Sequence, residues 1–358
     1  MEKYQKYGIN PLLISIATGQ QLQEVSPRPT AGMLPGTYSK IISKHMQVIN
    51  DKFPKTITRL TCKRCGKNGD YDFGTLVIPA SDAENAKVEG NFQALGYFRC
   101  KHCNATGEWE LSSRIKTMLA GKIAAAAMRS GVNSAQPEEV IFGEALIDKD
   151  FSPRWGSDAE EYFLKKLAQS PEDSYLWNRL GNAYYIGKRP ELAAFSHQQA
   201  LTKYMGQVES HFSLGQLLLE CGELEKAAEH FRQAVAFSHQ YKKLPAYDLR
   251  ELIVGALSKL FTIYTQSQAK IDMLPNPNEL EMAHFSKSEI AATTNLDFDI
   301  DPNRRETLYP IAEVYLGERR EELLPAERVT KLPKLKTIWP VAAKVNKQKP
   351  PKKNKKRR

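Results

Sequence analysis

The sequence is short of the features that mark secreted, membrane-spanning or catalytic chains. Only five of its 358 residues are cysteine, and four of those fall in two close pairs. That is too sparse for a disulfide scaffold and fits a reducing compartment and a metal. No apolar run approaches the roughly 20 residues that cross a bilayer. The longest, Ala120 to Met128, is interrupted by Gly121 and Lys122. Ile9 to Ala17 is a short apolar stretch, but Glu2, Asn10 and Pro11 argue against a signal peptide, so a cytoplasmic location is expected. Catalytic signatures are also missing. Leu34-Pro35-Gly36-Thr37 lacks the Gly-Lys-Ser/Thr that completes a phosphate loop, and Asp72-Phe73-Gly74 stands without the rest of a kinase site. Asp297, Asp299 and Asp301 alternate like the start of a calcium loop, yet Pro302 occupies its glycine position. With no nucleophile–base pair and no dinucleotide fingerprint, the chain is expected not to be an enzyme.

Acidic residues are absent from one region altogether. Residues 331–358 carry 12 basic and no acidic side chains, while residues 1–150 balance at +4 and residues 151–330 at −6. The formal charge of +10 therefore belongs to the tail. Pro333, Pro340, Pro350 and Pro351 interrupt that lysine-rich stretch, so residues 331–358 are expected to be a disordered basic tail. Its Lys352, Lys353, Lys355, Lys356, Arg357 and Arg358 would be open to the phosphates of RNA or DNA.

Between Thr56 and Leu111 β-branched and aromatic residues alternate with Gly and Asn turns, the pattern of short antiparallel strands. Two Cys-x-x-Cys turns sit among them, Cys62 with Cys65 and Cys100 with Cys103, separated by the stretch 66–99. Two intervening residues let both thiolates of a turn reach one ion, and two such turns complete a closed four-sulfur site. Gly66 and Asn104 follow the second cysteine of each turn and tolerate the left-handed backbone a metal knuckle needs. One structural Zn2+ per chain is the leading expectation, with an iron–sulfur site or unliganded redox cysteines as alternatives. The segment resembles a zinc ribbon. Similar ribbons touch nucleic acid through basic and aromatic residues. That makes Lys63, Arg64 and Lys101 candidate contacts, with Lys67 and Arg99 close by in the sequence. The alternative is that the lysines are merely solvated and that Tyr97, Phe98 and Trp109 form the ribbon's core.

A helix is expected from Ser112 or Ser113 to about Ser130, and a second from Lys40 to Phe53. Beyond residue 156 the chain repeats itself. Leu180-Gly181 recurs as Leu214-Gly215, Ala193-Ala194 as Ala227-Ala228 and Ala200 as Ala234, always at the offset that separates position 180 from position 214. Trp177, Leu180, Gly181, Tyr184, Ala193 and Ala200 then match the tetratricopeptide pattern, a resemblance that covers about residues 157–240. It departs where His197 replaces a large aromatic and Met205 a terminal proline. Arrays of that family bind peptides or proteins along their first helices, and the equivalent places here are Tyr175, Asn178, Asn182, Tyr185, Phe212 and Gln216. The asparagines stand where the family's chaperone-binding clamp makes contacts, but the clamp's lysines and arginine have no counterpart. Asn178, Asn182 and Gln216 would instead hydrogen-bond an extended peptide backbone.

The expected organisation is an N-terminal segment (1–55), a ribbon (56–111), a helix and connector (112–156), the repeats (157–240), a helical extension capping them (241–330) and the tail. It is a mainly α, α+β multidomain chain: a helical array with a small antiparallel β unit. The expected role is a protein-binding adaptor; the alternative is a nucleic-acid- or ribosome-associated factor that uses the ribbon and tail.

Overall fold

The computed structural model describes residues 8–50, 52–79, 92–129, 138–147, 151–294, 296–301 and 304–335. The basic tail beyond residue 335 lies outside the described residues, and so do Lys352, Lys353, Lys355, Lys356, Arg357 and Arg358.

Asn10 starts helix α1 (Pro11–Thr18). Its side chain accepts a hydrogen bond from the Leu12 N–H at 3.0 Å, and Pro11 fills the first turn, where no N–H is required. Helices α2 (Tyr38–Ser43) and α3 (Met46–Asn50) follow, so the single helix expected over Lys40–Phe53 is divided at Lys44 and His45.

Strand β1 (Ile57–Cys62) pairs antiparallel with β2 (Asn68–Asp72) on one side and with β5 (Trp109–Glu110) on the other. A second small sheet places β3 (Leu76–Ile78) between β4 (Gln93–Ala94) and β6 (Val140–Phe142). The β3–β6 pair is parallel, which departs from the expected all-antiparallel unit. A strand as short as β6, inside a stretch read as helix and connector, shows no period in the sequence. Thr58, Leu60 and Cys62 of β1 point inward and meet a core of Tyr71, Phe73, Phe92, Phe98, Trp109 and Trp155. Phe73 stacks on Phe98 at 5.7 Å and meets Trp155 edge-on at 5.5 Å. Helix α4 (Ser113–Arg129) lays Leu119 and Ile123 on this core.

The array runs through α5 (Gly156–Gln169), α6 (Ser174–Ile186), α7 (Pro190–Lys203), α8 (Val208–Glu220), α9 (Leu224–Ala236) and α10 (Ala246–Gln266). Asp173 caps α6 through the N–H groups of Tyr175 and Leu176, and Pro190 opens α7. The sequence repeat has a direct structural reading. A Cβ on Gly181 would fall 2.7 Å from the His197 ring, and one on Gly215 would fall 3.0 Å from Phe231. Small residues thus let α6 and α8 approach α7 and α9 across the same kind of crossing.

Helices α11 (Pro277–Met282), α12 (Lys287–Thr294) and α13 (Tyr309–Leu316) close the far end, together with the short pair β7 (Leu296–Asp297) and β8 (Lys334–Leu335). The break between α11 and α12 falls at His284, whose φ is +63°. Buried Arg250 of α10 donates to Glu313 at 3.1 Å and to the Glu327 carbonyl at 2.6 Å, which ties this extension to the array. The described part of the N-terminal segment is not a separate unit. Ile9, Leu13, Ile14, Val25, Leu34, Ile42 and Ile49 are buried in the same apolar cluster as the array.

Candidate metal centre and helical face

Strand β1 delivers Cys62 and Cys65 at its end, and the segment after β4 delivers Cys100 and Cys103. The two turns are built alike. The Cys62 N–H donates to the Lys67 carbonyl and the Cys100 N–H to the Ala105 carbonyl, while the Gly66 and Asn104 N–H groups close back onto the Cys62 and Cys100 carbonyls at 2.8 and 2.9 Å. Gly66 and Asn104 both take left-handed backbone, with φ of +70° and +59°. The Sγ atoms of Cys62 and Cys103, and those of Cys65 and Cys100, lie 3.7 Å apart, and all four are within 4.8 Å of one another. A tetrahedron with metal–sulfur bonds of about 2.3 Å has sulfur–sulfur edges of about 3.8 Å. The four cysteines therefore form a site able to hold a metal ion. Their acid–base chemistry agrees. Burial pushes the Cys62 thiol up to about 12. Burial pushes the same way at Cys100, but hydrogen bonds from the Cys103 and His102 amides and from the Cys103 and Cys65 side chains together outweigh it and lower that thiol to about 6. Four thiolates this close need positive charge between them.

The surroundings of the cysteines divide the basic residues sharply. Lys63 and Arg64 are exposed on the first knuckle, and Lys101 is half-buried with its ammonium 5.1 Å from the centre of the Tyr71 ring. Phe98 and Trp109 belong to the unit's core, whereas Tyr97 packs into the core of the array. Arg99, a neighbour of the other knuckle cations in the sequence, is 6% exposed and pairs at 2.6 Å with Glu160 of α5, itself 1% exposed.

Glu160 gathers a buried polar network that joins distant parts of the chain. One carboxylate oxygen accepts from the hydroxyls of Tyr97 and Tyr184 at 2.9 and 2.7 Å; the other accepts from Arg99 and, at 3.2 Å, from the Asn10 amide. It thereby joins the cysteine unit, the array and the N-terminal segment. Beside it, the Tyr97 N–H donates to the Gly187 carbonyl at 2.9 Å, and Lys188 pairs with Asp72. Partners so distant along the chain leave no periodic signal. The only trace in the sequence is an acid in α5 at a position flanked by core residues such as Ala159 and Phe163.

Not all the residues expected on the array's binding face share one environment. Asn178 is 0% exposed, and its Oδ1 accepts from Ser210 of α8 at 2.9 Å, so it joins neighbouring repeats and does not line an open face. Tyr175, Asn182, Tyr185, Phe212 and Gln216 are half-buried. Lys243 sits 5.3 Å over the Tyr175 ring, and Phe212 meets Phe231 edge-on at 5.7 Å. Gln216 reaches both the Tyr185 hydroxyl and Glu220 at 3.4 Å, which makes α6 and α8 one continuous face. The chain itself touches that face: the Phe53 ring lies edge-on to Tyr185 at 5.3 Å, and Lys52 pairs with Glu220 at 2.8 Å. Asn182, one turn before Tyr185, makes no side-chain hydrogen bond among the described residues.

No described helix is long and apolar enough to cross a membrane. The chain matches no protein-family model, no curated protein and no solved structure.

Proposed function

We propose that this chain is a non-enzymatic interaction protein in which a tetratricopeptide-type array binds an extended segment of a partner protein, while one structural zinc holds the cysteine unit. The observation that carries the reading is the face shared by α6 and α8. Its Asn182 amide has no partner among the described residues, Gln216 is held only by long contacts, and one end already receives an aromatic and a basic side chain from Phe53 and Lys52. An amide that can donate and accept suits the backbone of an extended peptide. Zinc is the proposed ion because four thiolates at tetrahedral separations make a closed site, which leaves no position for a reacting water and gives the metal a structural role.

The test is capture of partners from the native cell with the full chain and with an Asn182→Ala/Gln216→Ala double variant. Both side chains are half-buried and lightly bonded, so the variant keeps its fold, which circular dichroism checks. Expected is loss of the partners that the native chain retains. An identical set of partners on a folded double variant would refute the groove reading.

A further inference from the structure

The residues flanking the second knuckle do something the metal site alone does not require. Asn104 directly follows Cys103, and the knuckle's left-handed turn fixes its side-chain direction. Its Nδ2 donates to the carbonyls of Ile9 and Pro27, both at 2.9 Å, and so holds two passes of the N-terminal segment together. Those passes also join each other, since the Ile9 N–H donates to the Pro29 carbonyl at 3.4 Å. The approach is close: a Cβ on Gly8 would fall 1.9 Å from the Asn104 Oδ1. Arg99 directly precedes Cys100. Its Nε donates to the Asn104 carbonyl at 3.0 Å and its guanidinium reaches Glu160, which also receives Asn10. One loop, Arg99 to Asn104, thus carries two metal ligands, the ion pair to the array and the two Asn104 hydrogen bonds to the N-terminal segment.

We infer that the four-cysteine centre is a metal-dependent latch: occupancy of the site holds residues 9–29 down on the array, and loss of the ion releases them while the helices beneath stay folded. The physical cause is that the ion adds a direct link between the two cysteine turns, and its binding contributes folding free energy. The turns otherwise meet through the Lys101 N–H on the Tyr71 hydroxyl at 3.2 Å, His102 on the Asn68 carbonyl at 3.3 Å and a shared core. Without the ion the turn that aims Asn104 and Arg99 keeps its backbone hydrogen bonds but loses its direct tie to the first knuckle. The array does not share that dependence, because its core of α6 to α10 is a continuous apolar stack, whereas the four ligand cysteines belong to a separate cluster. The linkage is reciprocal: whatever factor the ion contributes to docking of the segment, docking contributes to affinity for the ion. The inference rests on the metal reading above, and metal content is therefore measured separately from docking.

The experiment is backbone hydrogen exchange on the full chain, as purified and after chelation, with zinc content read by elemental analysis and zinc affinity by competition with a chelating dye. The purified protein is expected to hold one zinc per chain. Chelation is expected to speed exchange in residues 9–29 by about tenfold or more, with Val208–Ala236 unchanged. Asn104→Gly, which keeps the left-handed turn while removing the amide, is expected to keep one zinc, expose the same residues and bind zinc more weakly by the same factor. Absence of bound zinc, or of any metal, would defeat the metal reading itself. With zinc present, three results would overturn the latch: residues 9–29 staying protected after chelation, the array losing protection together with them, or Asn104→Gly freeing the segment with zinc affinity unaltered.

Discussion

The buried histidines carry most of what single residues contribute to pH dependence. His211 Nε2 lies 2.8 Å from the Met205 carbonyl and must carry the hydrogen there, so its Nδ1 accepts from His230 Nδ1–H at 3.0 Å, and His230 Nε2 accepts from the Tyr38 hydroxyl at 2.9 Å. Each ring is neutral in this chain of bonds, and an added proton would set two N–H groups against each other between His211 and His230 or force the Tyr38 hydroxyl to turn from donor to acceptor. Burial lowers His211 to about 4 and His230 well below its ordinary value, and it lowers His197, beside Ser210 in the other repeat, to about 3. An unfolded histidine takes up its proton near pH 6.5. These groups are depressed in the folded state, so their contribution is complete above pH 6.5 and is lost as pH falls from there toward the folded values. One such histidine costs about 2 kcal/mol at pH 5 relative to pH 7.5, at about 1.4 kcal/mol per unit. His197→Phe, which installs the residue found at the equivalent position 231, should recover about that much of the acid loss. Denaturant midpoints at the two pH values measure it. An undiminished drop between pH 7.5 and pH 5 would show that His197 is not one of the titrating groups.

At the scale of elements, legibility follows the range of the interactions. The crossing of α6 on α7 and of α8 on α9 is visible in the sequence because it rests on contacts within one repeat unit, so Leu-Gly and Ala-Ala recur. The two Cys-x-x-Cys turns are equally legible, being local chelating geometry. Asn178 reads as part of an open face because its burial depends on Ser210 in the next unit. Tyr97, Arg99 and Glu160 are invisible as a group, since a network between such distant parts of the chain has no spacing to read. The same crossings make a quantitative prediction. A methyl on Gly181 would meet the edge of the rigid His197 ring at 2.7 Å, tighter than the 3.0 Å at Gly215 against Phe231. Overpacking of this kind typically costs about 1–3 kcal/mol. Gly181→Ala should therefore destabilise the protein within that range and by more than Gly215→Ala, as read from chemical denaturation. Adding His197→Ala should make the Gly181 substitution nearly neutral, because the ring it strikes is gone. A penalty at Gly181 that survives removal of the ring would place the strain in the backbone and not in the crossing.

Across the whole molecule, the decisive quantity is where the charge sits. Residues 1–330 carry 39 basic and 41 acidic side chains, a balance of −2, against +12 in residues 331–358. Among the described residues, several of the groups near the knuckles that could serve a nucleic-acid face are committed elsewhere. Phe98 and Trp109 are buried in the core, Arg99 is committed to Glu160, and the exposed cations of the first knuckle come down to a small group around Lys63 and Arg64. Affinity for nucleic acid scales with the phosphates neutralised, and log affinity falls with log salt at a slope of about −0.7 to −0.9 per phosphate contact. Any binding of RNA or DNA by the full chain at low salt is therefore expected to come from the tail, with a steep slope set by several of its 12 charges. A chain ending at Thr330 should lose that binding while retaining every protein partner that Asn182 and Gln216 help to hold. Should the shortened chain instead bind nucleic acid with a slope worth two or three phosphates, Lys63 and Arg64 would be the residues responsible. The knuckle would then be a recognition surface, and the adaptor reading would give way to that of a nucleic-acid-associated factor.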